Sequence, residues 1–272
     1  MPELPEVETV VKALRSGRII NSKILKIEII NGNHIKEISP EDFSKSLIGK
    51  TLKKIERKGK WILFFFDDLV LFSHLRMTGK YFFGKERGNK PSIIFNFENA
   101  EKLIYCDPRG FGVFHLRDFN NYSDTNPYKK IGKDALEEDI TSEYVFNWAK
   151  KTSLPVKSFL LEQNVISGIG NIYASEILFS TKINPFKLAK DLKLEEIEKI
   201  ILTTKQMLKK SVEMNGTSVV DFISPLVGKG CYQNELKVYM REGKNCFSCS
   251  GIISMKKINN RSSFYCETCQ NV

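Results

Sequence analysis

The chain has 272 residues, 42% of them hydrophobic, which is enough for two domains with buried cores and excludes an intrinsically disordered protein. Lysine and arginine number 42 against 32 acidic residues, and the resulting formal charge of +10 suits a polyanionic partner such as nucleic acid. The N-terminus is acidic and no long apolar run is present, so we expect neither a signal peptide nor a membrane anchor, and a cytoplasmic location.

The first predicted element is a helix that begins within MPELPEVETV. Pro5 suits a first helical turn, and Glu6 and Glu8 complement the positive end of the helix dipole. Apolar side chains then recur at helical spacing, at Val7, Val10, Val11 and Leu14.

The residues before this helix are chemically unusual. A small residue such as Pro2 after Met1 allows removal of the initiator methionine, which would make Pro2 the N-terminus. Its secondary amine would then have a pKa near ~8 and act as a nucleophile at neutral pH, with Glu3 beside it as a proton donor. Amines attack carbonyl-like carbons to form Schiff bases, so the candidate chemistry is imine catalysis; a processed terminus followed by a helix cap is the alternative.

Two different patterns follow along the chain. Residues 19–118 contain mostly short β-branched or aromatic runs, typical of a β-sandwich or barrel, with predicted strands in ILKIEII, TLKKIERK, KWILFFF, LVLFSHL, SIIFNF and KLIYC. From about residue 134 the periodicity is helical, in YVFNWAKK, VKSFLLEQNV, IYASEILF and KLEEIEKIILTTKQMLKKSVE. The polar, turn-rich segment 120–133 between them predicts a domain boundary.

Three glycine-containing turns carry residues suited to ligand binding. Gly168 and Gly170 allow a tight turn before a helix that would begin at Asn171, and the free amides of such a helix start can bind phosphate. The segments SHLRMTGKY and DPRGFGVF place basic, aromatic or flexible side chains in turns of the β-rich half: His74, Arg76, Met77, Arg109 and Phe111. Each feature on its own is also common in ordinary turns and cores.

Four of the six cysteines form two close pairs near the end of the sequence: Cys246, Cys249, Cys266 and Cys269. Each pair offers two ligands from a tight turn, and four thiolates complete a tetrahedral zinc site with no position for water. We therefore predict one structural Zn2+ ion in a small ribbon, whose hairpin tip offers Lys256, Lys257 and Arg261 to a partner. Cys106 and Cys231 stand alone and are predicted to be packing residues.

Together these motifs resemble bacterial formamidopyrimidine-DNA glycosylase. Essentially the whole chain shows the order of motifs found in that family: PELPEVET, RKGKW, SHLRMTG, DPRGFG, LLEQNVISGIGNIYASE, GTSVVDF and the four-cysteine ribbon. The related endonuclease VIII group usually has glycine at the position of Leu4, so the resemblance favours oxidised purines over oxidised pyrimidines as substrates.

The resemblance implies an α+β multidomain fold, with an N-terminal β-sandwich that carries the first helix, a helix-two-turn-helix domain and a zinc ribbon. We expect these domains at residues 1–125, 134–224 and 236–272, with DNA in a basic cleft. The implied activity is excision of 8-oxoguanine and formamidopyrimidines from duplex DNA, followed by β,δ-elimination at the abasic site, as in base excision repair. The partner would be double-stranded DNA with oxidised bases or abasic sites, and the chain would act as a monomer away from membranes.

The resemblance also assigns catalytic roles to matching positions. Pro2 looks like the Schiff-base nucleophile, Glu3 like the acid that assists opening of the sugar ring, and Glu6 like a supporting carboxylate. Lys60 resembles a phosphate-contacting lysine linked to β-elimination. Arg261 resembles a residue linked to δ-elimination and to holding the lesion phosphate.

Further positions resemble contacts to DNA. Those that match contacts to the DNA backbone are His74, Lys151, Lys157 and Asn171, and those that match side chains filling the space of an extruded base are Met77, Arg109 and Phe111. The chain departs from the family at GNKPSIIF, where Lys90 would substitute for a DNA-contacting histidine, and at Gly110, where a second basic residue is usual. The segment 224–235 matches in position the loop that covers the extruded base.

Two other functions are compatible with the residues alone. One is an endonuclease VIII type glycosylase for oxidised pyrimidines, and the other is a non-catalytic zinc-ribbon protein that binds damaged DNA. The joint presence of Pro2, Glu3, Lys60 and Arg261 favours an enzyme over the non-catalytic alternative.

Overall fold

The computed structural model describes residues 1–84, 90–218 and 226–271. Its helices and strands in chain order are α1 (Leu4–Ser16), β1 (Ile24–Ile29), α2 (Pro40–Leu47), β2 (Lys54–Lys58), β3 (Trp61–Phe65), β4 (Leu69–His74), β5 (Lys80–Phe83), β6 (Ile93–Phe97), β7 (Lys102–Cys106), β8 (Val113–Asp118), β9 (Lys133–Asp134), α3 (Ser142–Ala149), α4 (Val156–Phe159), β10 (Ile166–Ser167), α5 (Asn171–Ser180), α6 (Leu194–Glu213), β11 (Ile253–Ile258), β12 (Arg261–Cys266) and α7 (Glu267–Gln270). Residues 219–222 of the GTSVVDF motif and the first two residues of segment 224–235 lie outside the described part. Within the described residues, no helix is long and apolar enough to cross a membrane.

The Cα positions divide the chain into two compact units. The first comprises Met1–Lys130 and Met214–Cys231, and the second comprises Ile131–Glu213 and Tyr232–Val272. The predicted helical domain extends from 134 to 224, whereas this division assigns the chain from Met214 to Cys231 to the first unit.

The first unit contains two four-stranded sheets with the strand orders β1-β6-β7-β5 and β2-β3-β4-β8. All neighbouring strands in both are antiparallel. Apolar side chains from α1 and both sheets, such as Val11, Phe64 and Phe95, share one buried core. Tyr122 and Tyr128, from the segment predicted to be a linker, pack against a second buried cluster on the β2-β3-β4-β8 sheet. The predicted N-terminal sandwich with an attached helix is confirmed.

Three elements of this unit are absent from the sequence prediction: α2, β5 and β8. The signal for α2 is present, because the Ser39 hydroxyl accepts a hydrogen bond from the Asp42 N–H at 3.0 Å and Pro40 occupies the first turn. Both β5 and β8 lie at sheet edges. The sequence of β5 has only four residues, and β8 contains His115, Arg117 and Asp118, so neither shows the longer apolar run of the predicted strands.

The second unit is mainly helical, with a short parallel pair β9-β10 and an antiparallel hairpin β11-β12. Helix α5 is buried on almost every side, whereas α6 buries one face only. The periodic segment VKSFLLEQNV forms a helix only over Val156–Phe159. The chain then turns, and the side-chain amide of Gln163 donates to the carbonyl oxygens of Leu161 and Ile169, both at 2.9 Å.

The two isolated cysteines differ in burial. Cys106 is buried at the end of β7, as predicted for a packing residue. Cys231 is exposed, so the same prediction for it is wrong. Its backbone N–H donates to the carbonyl of Met214 at 2.9 Å, which shows that the main chain at this position is held while the thiol faces solvent.

Candidate functional site

The first turn of α1 fixes the N-terminal residues by a reciprocal cap. The Glu3 side chain accepts the backbone N–H of Glu6, and Oε2 of Glu6 accepts the backbone N–H of Glu3 at 2.8 Å. Pro2, Glu3 and Glu6 are all buried. A capping box satisfies backbone donors that a helix start otherwise leaves unpaired, so these two carboxylates fix the backbone of the residue that follows Pro2.

Glu6 also binds a distant part of the first unit. Its Oε1 accepts the backbone N–H of Thr217 at 2.7 Å. Gly216, with a φ of +76°, precedes this contact, and a Cβ there would lie 2.9 Å from Oε1 of Glu6. Any larger residue at 216 would displace the Glu6 carboxylate, so only glycine allows this approach. Through these contacts Glu6 connects the N-terminus with Gly216 and Thr217.

Lys60 lies in the two-residue turn between β2 and β3, after Gly59 with a φ of +58°. The turn is tied to α1 through Arg57, whose Nε donates to Oε2 of Glu8 at 2.8 Å and whose Nη1 donates to the Gly59 carbonyl at 3.0 Å. Lys60 is buried, which is unusual for lysine. Sequence reasoning missed the role of Arg57 and Glu8 because they are 49 residues apart.

His74 is buried at the end of β4 with its ring edge-on to Trp61, at a centroid distance of 4.9 Å. Its Nδ1 accepts the backbone N–H of Arg76 at 3.0 Å. Burial, reinforced by the positive charges of Arg76 and Lys60, lowers the pKa of His74 to about 3. The ring is therefore neutral at physiological pH, and it orders the turn that follows β4.

We expect this neutral imidazole to make the fold less stable in acid. The unfolded chain would protonate His74 near pH 6.5 while the folded chain does not, so stability present above that pH is lost below it. The predicted loss is about 1.4 kcal/mol of unfolding free energy per pH unit. Urea unfolding at several pH values checks this. His74→Asn, whose side-chain oxygen can still accept the Arg76 N–H, should show a shallower dependence, and an equal slope in both proteins would contradict the assignment.

The side chains predicted to fill the space of an extruded base lie together on the surface of the first unit. Met77 is 37% exposed and Phe111 is 50% exposed. The guanidinium of Arg109 lies between them, with Nη1 3.6 Å from the Met77 sulfur and Cζ 4.9 Å from the centre of the Phe111 ring. Gly110, with a φ of +70°, makes the bend between Arg109 and Phe111. An additional basic side chain at 110 would therefore strain this turn.

In the second unit, the glycine-rich turn and the start of α5 form as predicted. Gly168 has a φ of +108°, Gly170 is the N-cap residue, and Asn171 is the first residue of α5. The Gly168 N–H donates to Oε1 of Gln163 at 3.0 Å, so the side chain that ends the preceding segment also fixes this turn. The amide Nδ2 of Asn171 donates to the Ser262 carbonyl at 3.0 Å, and its buried Oδ1 has no hydrogen-bond partner in the described part of the chain.

Lys157 binds the same end of the β11-β12 hairpin. Its side chain is 1% exposed, and Nζ donates to the Ser262 carbonyl at 2.7 Å and to the Ser263 hydroxyl at 2.9 Å. Lys157 and Asn171 thus share one acceptor next to Arg261, which is exposed at the start of β12. A direct contact of Lys157 with DNA remains a prediction; its observed hydrogen bonds hold the backbone beside Arg261.

The hairpin tip itself is a two-residue turn. Asn259 and Asn260 both have positive φ values, 47° and 62°, and asparagine tolerates this conformation better than most residues. Nδ2 of Asn259 donates to the Ser158 hydroxyl at 2.9 Å. The tip that presents Arg261 is therefore anchored to α4 as well as to α5.

The four predicted ligand cysteines come together at the other end of this hairpin. Their sulfur atoms all lie within 4.8 Å of one another, with 3.5 Å between Cys249 and Cys266 and 3.9 Å between Cys246 and Cys269. Backbone N–H groups of Ser248 and Gly251 point to the sulfurs of Cys246 and Cys249, both at 3.3 Å. Such a cluster can hold one metal ion.

Glu176 was not anticipated from the sequence, although it lies within the GIGNIYASE motif. It is buried in α5 and accepts the backbone N–H groups of Lys237, Val238 and Tyr239 at 2.7–2.9 Å. Burial raises the pKa of this carboxyl, while the three hydrogen bonds oppose that shift. The carboxylate thereby attaches the chain that leads into the cysteine cluster to α5.

The two remaining predicted contacts are exposed. Lys90 is the first described residue after the gap at 85–89, and Lys151 lies in the turn after α3, where it lines a small pocket with Trp148. Neither has an ion-pair partner within the described residues. Their contacts with DNA remain predictions.

Comparisons with known proteins agree over the whole chain. The sequence-family model for the formamidopyrimidine-DNA glycosylase N-terminal domain matches residues 1–114. The family model for the formamidopyrimidine-DNA glycosylase H2TH domain matches residues 131–222. The formamidopyrimidine-DNA glycosylase of Mycoplasma pneumoniae is 38% identical over 275 residues, which cover 99% of each chain.

Solved structures are similar at the level of the fold as well. A complex of Lactococcus lactis Fpg with abasic-site DNA has a TM-score of 0.92 and 34% identity, covering 99% of this chain and 100% of that one. A structure of MutM with DNA containing carbocyclic 8-oxo-G has a TM-score of 0.91 and 34% identity, covering 100% of both chains.

Proposed function

Because this chain belongs to the formamidopyrimidine-DNA glycosylase family, we propose that it excises oxidised purines from duplex DNA and then cleaves the abasic site, as a base excision repair enzyme. The observation that supports the proposal most directly is the N-terminus, where Pro2 is buried immediately before the capping box of Glu3 and Glu6. The substrate would be chromosomal DNA, and the proposal accordingly places the enzyme in the bacterial cytoplasm.

The proposed nucleophile is the nitrogen of Pro2, which becomes a secondary amine once Met1 is removed. It attacks C1′ of the damaged nucleotide, the bond between C1′ and the base breaks, and the base leaves as its nitrogen gains a proton. The sugar ring opens with Glu3 as the proton donor to its oxygen. The positive charge of the resulting iminium acidifies the C2′ hydrogen, so that its removal expels the 3′ phosphate and cuts the strand.

The other unit contributes phosphate contacts in this proposal. Arg261 would bind the phosphate at the lesion, and Asn171 would bind it from the start of α5. The buried ammonium of Lys157 supports this arrangement because it fixes the Ser262 carbonyl next to Arg261. Lys60, in the tight turn held by Arg57, would contact a further phosphate.

We propose that the cysteine cluster binds one zinc ion. Zinc–sulfur bonds of about 2.3 Å in a tetrahedron require sulfur atoms about 3.8 Å apart; two pairs lie at 3.5 Å and 3.9 Å and every pair lies within 4.8 Å, so a small adjustment would close the four sulfurs around one ion. Four thiolates leave no open position, so the ion would stabilise the fold and take no part in the reaction. The cysteines hold the base of the hairpin whose tip carries Arg261.

Borohydride trapping tests the proposed function. The reductant converts an iminium between Pro2 and C1′ into a stable amine, so the chain should become covalently joined to a duplex that carries 8-oxoguanine. An oxidised pyrimidine duplex and an undamaged duplex are the controls. Stronger trapping on the pyrimidine would favour an endonuclease VIII type activity, and DNA binding without trapping on any duplex would favour the non-catalytic alternative.

We expect the double substitution Arg109→Ala and Phe111→Ala to depress excision of a paired lesion far more than cleavage of a preformed abasic site. Extruding a base costs a few kcal/mol, and an abasic substrate has no base to unstack. The measurement is the rate on each duplex. If Phe111 and Arg109 served only the stability of the sandwich, both rates would fall together and the melting temperature would drop.

A further inference from the structure

Asp107 is a buried carboxylate directly below the surface formed by Met77, Arg109 and Phe111. It follows β7 and begins the segment DPRGFG, and its side chain has no exposed area. A buried carboxylate is costly unless every acceptor is used. Its presence in a core otherwise rich in aromatic side chains therefore requires an explanation beyond packing.

The hydrogen bonds of Asp107 define the shape of its own turn. Oδ2 accepts the backbone N–H of Gly112 at 2.6 Å, and Oδ1 accepts the backbone N–H of Arg109 at 3.3 Å. The carboxylate thus closes the loop that contains Arg109 and Phe111. The backbone directions of these two residues are set from inside the protein.

Gly112 is held on its other side as well. Its carbonyl lies 2.9 Å from Nδ1 of His34, and because a carbonyl oxygen only accepts, Nδ1 must carry a proton and donate it in this hydrogen bond. A Cβ at position 112 would lie 1.7 Å from the Tyr105 hydroxyl oxygen. Only glycine fits here, so the end of the turn cannot shift inward.

The same carboxylate reaches the neighbouring turn. Oδ1 of Asp107 also accepts the hydroxyl of Thr78, the residue after Met77. That turn is closed by the Gly79 N–H, which donates to the Leu75 carbonyl at 3.0 Å. One side chain therefore connects the turn that carries Met77 with the turn that carries Arg109 and Phe111.

We infer that Asp107 is a positioning residue for base extrusion, and that it sets the spacing of the two turns so that Met77, Arg109 and Phe111 enter the DNA as one unit. This inference rests on the proposed function, because it presupposes that these side chains occupy the space of the extruded base. The hydroxyl of Thr78 is the connection between the turns, and the two backbone hydrogen bonds keep Arg109 and Phe111 in register with it. Preorganisation of this kind acts on the step that inserts the side chains.

The test compares Thr78→Val with Thr78→Ser. Valine keeps the shape of threonine and removes the hydroxyl, whereas serine keeps the hydroxyl. We expect Thr78→Val to reduce excision of a paired 8-oxoguanine about tenfold, the effect of roughly 1.4 kcal/mol, while cleavage of a preformed abasic site stays within about twofold. Thr78→Ser should restore the wild-type ratio of the two rates.

Asp107→Asn extends the test to the backbone contacts. The NH2 group of asparagine would face one of the three groups that donate hydrogen bonds to the Asp107 carboxylate, and two donors cannot bond to each other. The ratio of excision to abasic-site cleavage should therefore fall further than in Thr78→Val. Tyr81→Phe is the matched control, because it removes a buried hydrogen bond to Ser73, 2.7 Å in length, in the same unit without touching either turn. It should lower the melting temperature and leave the ratio of rates unchanged.

Each outcome decides the inference. Equal losses on both substrates, in proportion to a lowered melting temperature, would show that Asp107 serves stability alone. Unchanged excision in Thr78→Val would overturn the connection between the turns. A wild-type chain that excises no lesion and traps no DNA would instead overturn the proposed function, and this inference with it.

Discussion

Replacement of Pro2 by glycine is expected to abolish excision from an oxidised-purine duplex while affinity for abasic-site DNA changes by less than about tenfold, or roughly 1.4 kcal/mol. The chemistry needs an amine at a fixed place, and the rigid ring of proline supplies it. Pro2 is buried and immediately precedes the capping box of Glu3 and Glu6, which fixes the backbone of the next residue. Glycine keeps an amine but loses the ring, so the nitrogen is no longer preorganised for attack.

The measurement is single-turnover excision, with mass spectrometry to establish that Met1 has been removed from both proteins. Pro5→Ala is the matched control. Pro5 lies in the first turn of the same helix, and alanine is a good helix former, so this variant should retain excision. Full activity of Pro2→Gly, or of a chain that still carries Met1, would remove Pro2 from the reaction.

Loss of the proposed zinc ion is expected to have the second largest effect. Chelation, or Cys249→Ser, should weaken DNA binding by at least about a hundredfold, or roughly 2.7 kcal/mol, while most of the helical circular dichroism is retained. The ribbon shares one small apolar cluster with Phe179 of α5, and this cluster includes Val238, Ile253 and the ligand cysteines. Binding of the proposed zinc ion would therefore supply much of its folding free energy. The helices pack in the remainder of the unit and should persist.

The cysteine cluster should affect DNA binding because it holds the base of the hairpin whose tip presents Arg261. Strands β11 and β12 run from the cluster to Asn259 and Asn260, next to which Arg261 is exposed. If the base of the hairpin opens, Ser262 loses its hydrogen bonds with Lys157 and Asn171, and Arg261 is no longer placed.

Cys231→Ser is the matched control for this prediction, because Cys231 is exposed and lies outside the cluster. It should bind metal and DNA as the wild type does. The quantities to measure are metal per chain, the dissociation constant for abasic-site DNA and the circular dichroism spectrum. Active wild-type protein with much less than one zinc ion per chain would contradict the assignment of the cluster.

Several features of the site are determined by short stretches of sequence. The start of α1 at Leu4 follows from the proline and glutamates around it, and the start of α5 at Asn171 follows from the glycines before it. The paired spacing of the four cysteines is likewise a local property. These features depend on backbone preferences and on hydrogen bonds between residues a few positions apart, so the sequence alone predicts them.

Other features were decided by contacts between distant residues. Glu6 binds Thr217 across 211 positions, and Lys157 binds Ser262 across 105 positions. Neither residue type nor spacing reveals such a pair, because each depends on where the folded chain brings a particular backbone N–H or carbonyl. The exposure of Cys231 was mispredicted for the same reason.

The surface formed by Met77, Arg109 and Phe111 depends both on local sequence and on contacts between distant residues. The sequence by itself determined that glycine-containing turns would carry these side chains, and its resemblance to the glycosylase family suggested their task. Only the tertiary structure decided that the two turns share one buried carboxylate, Asp107, because β4 and β7 belong to different sheets and their ends meet only in the folded unit. Turn formation is a local preference of the backbone, whereas burial of a charge depends on the complete set of donors that surround it.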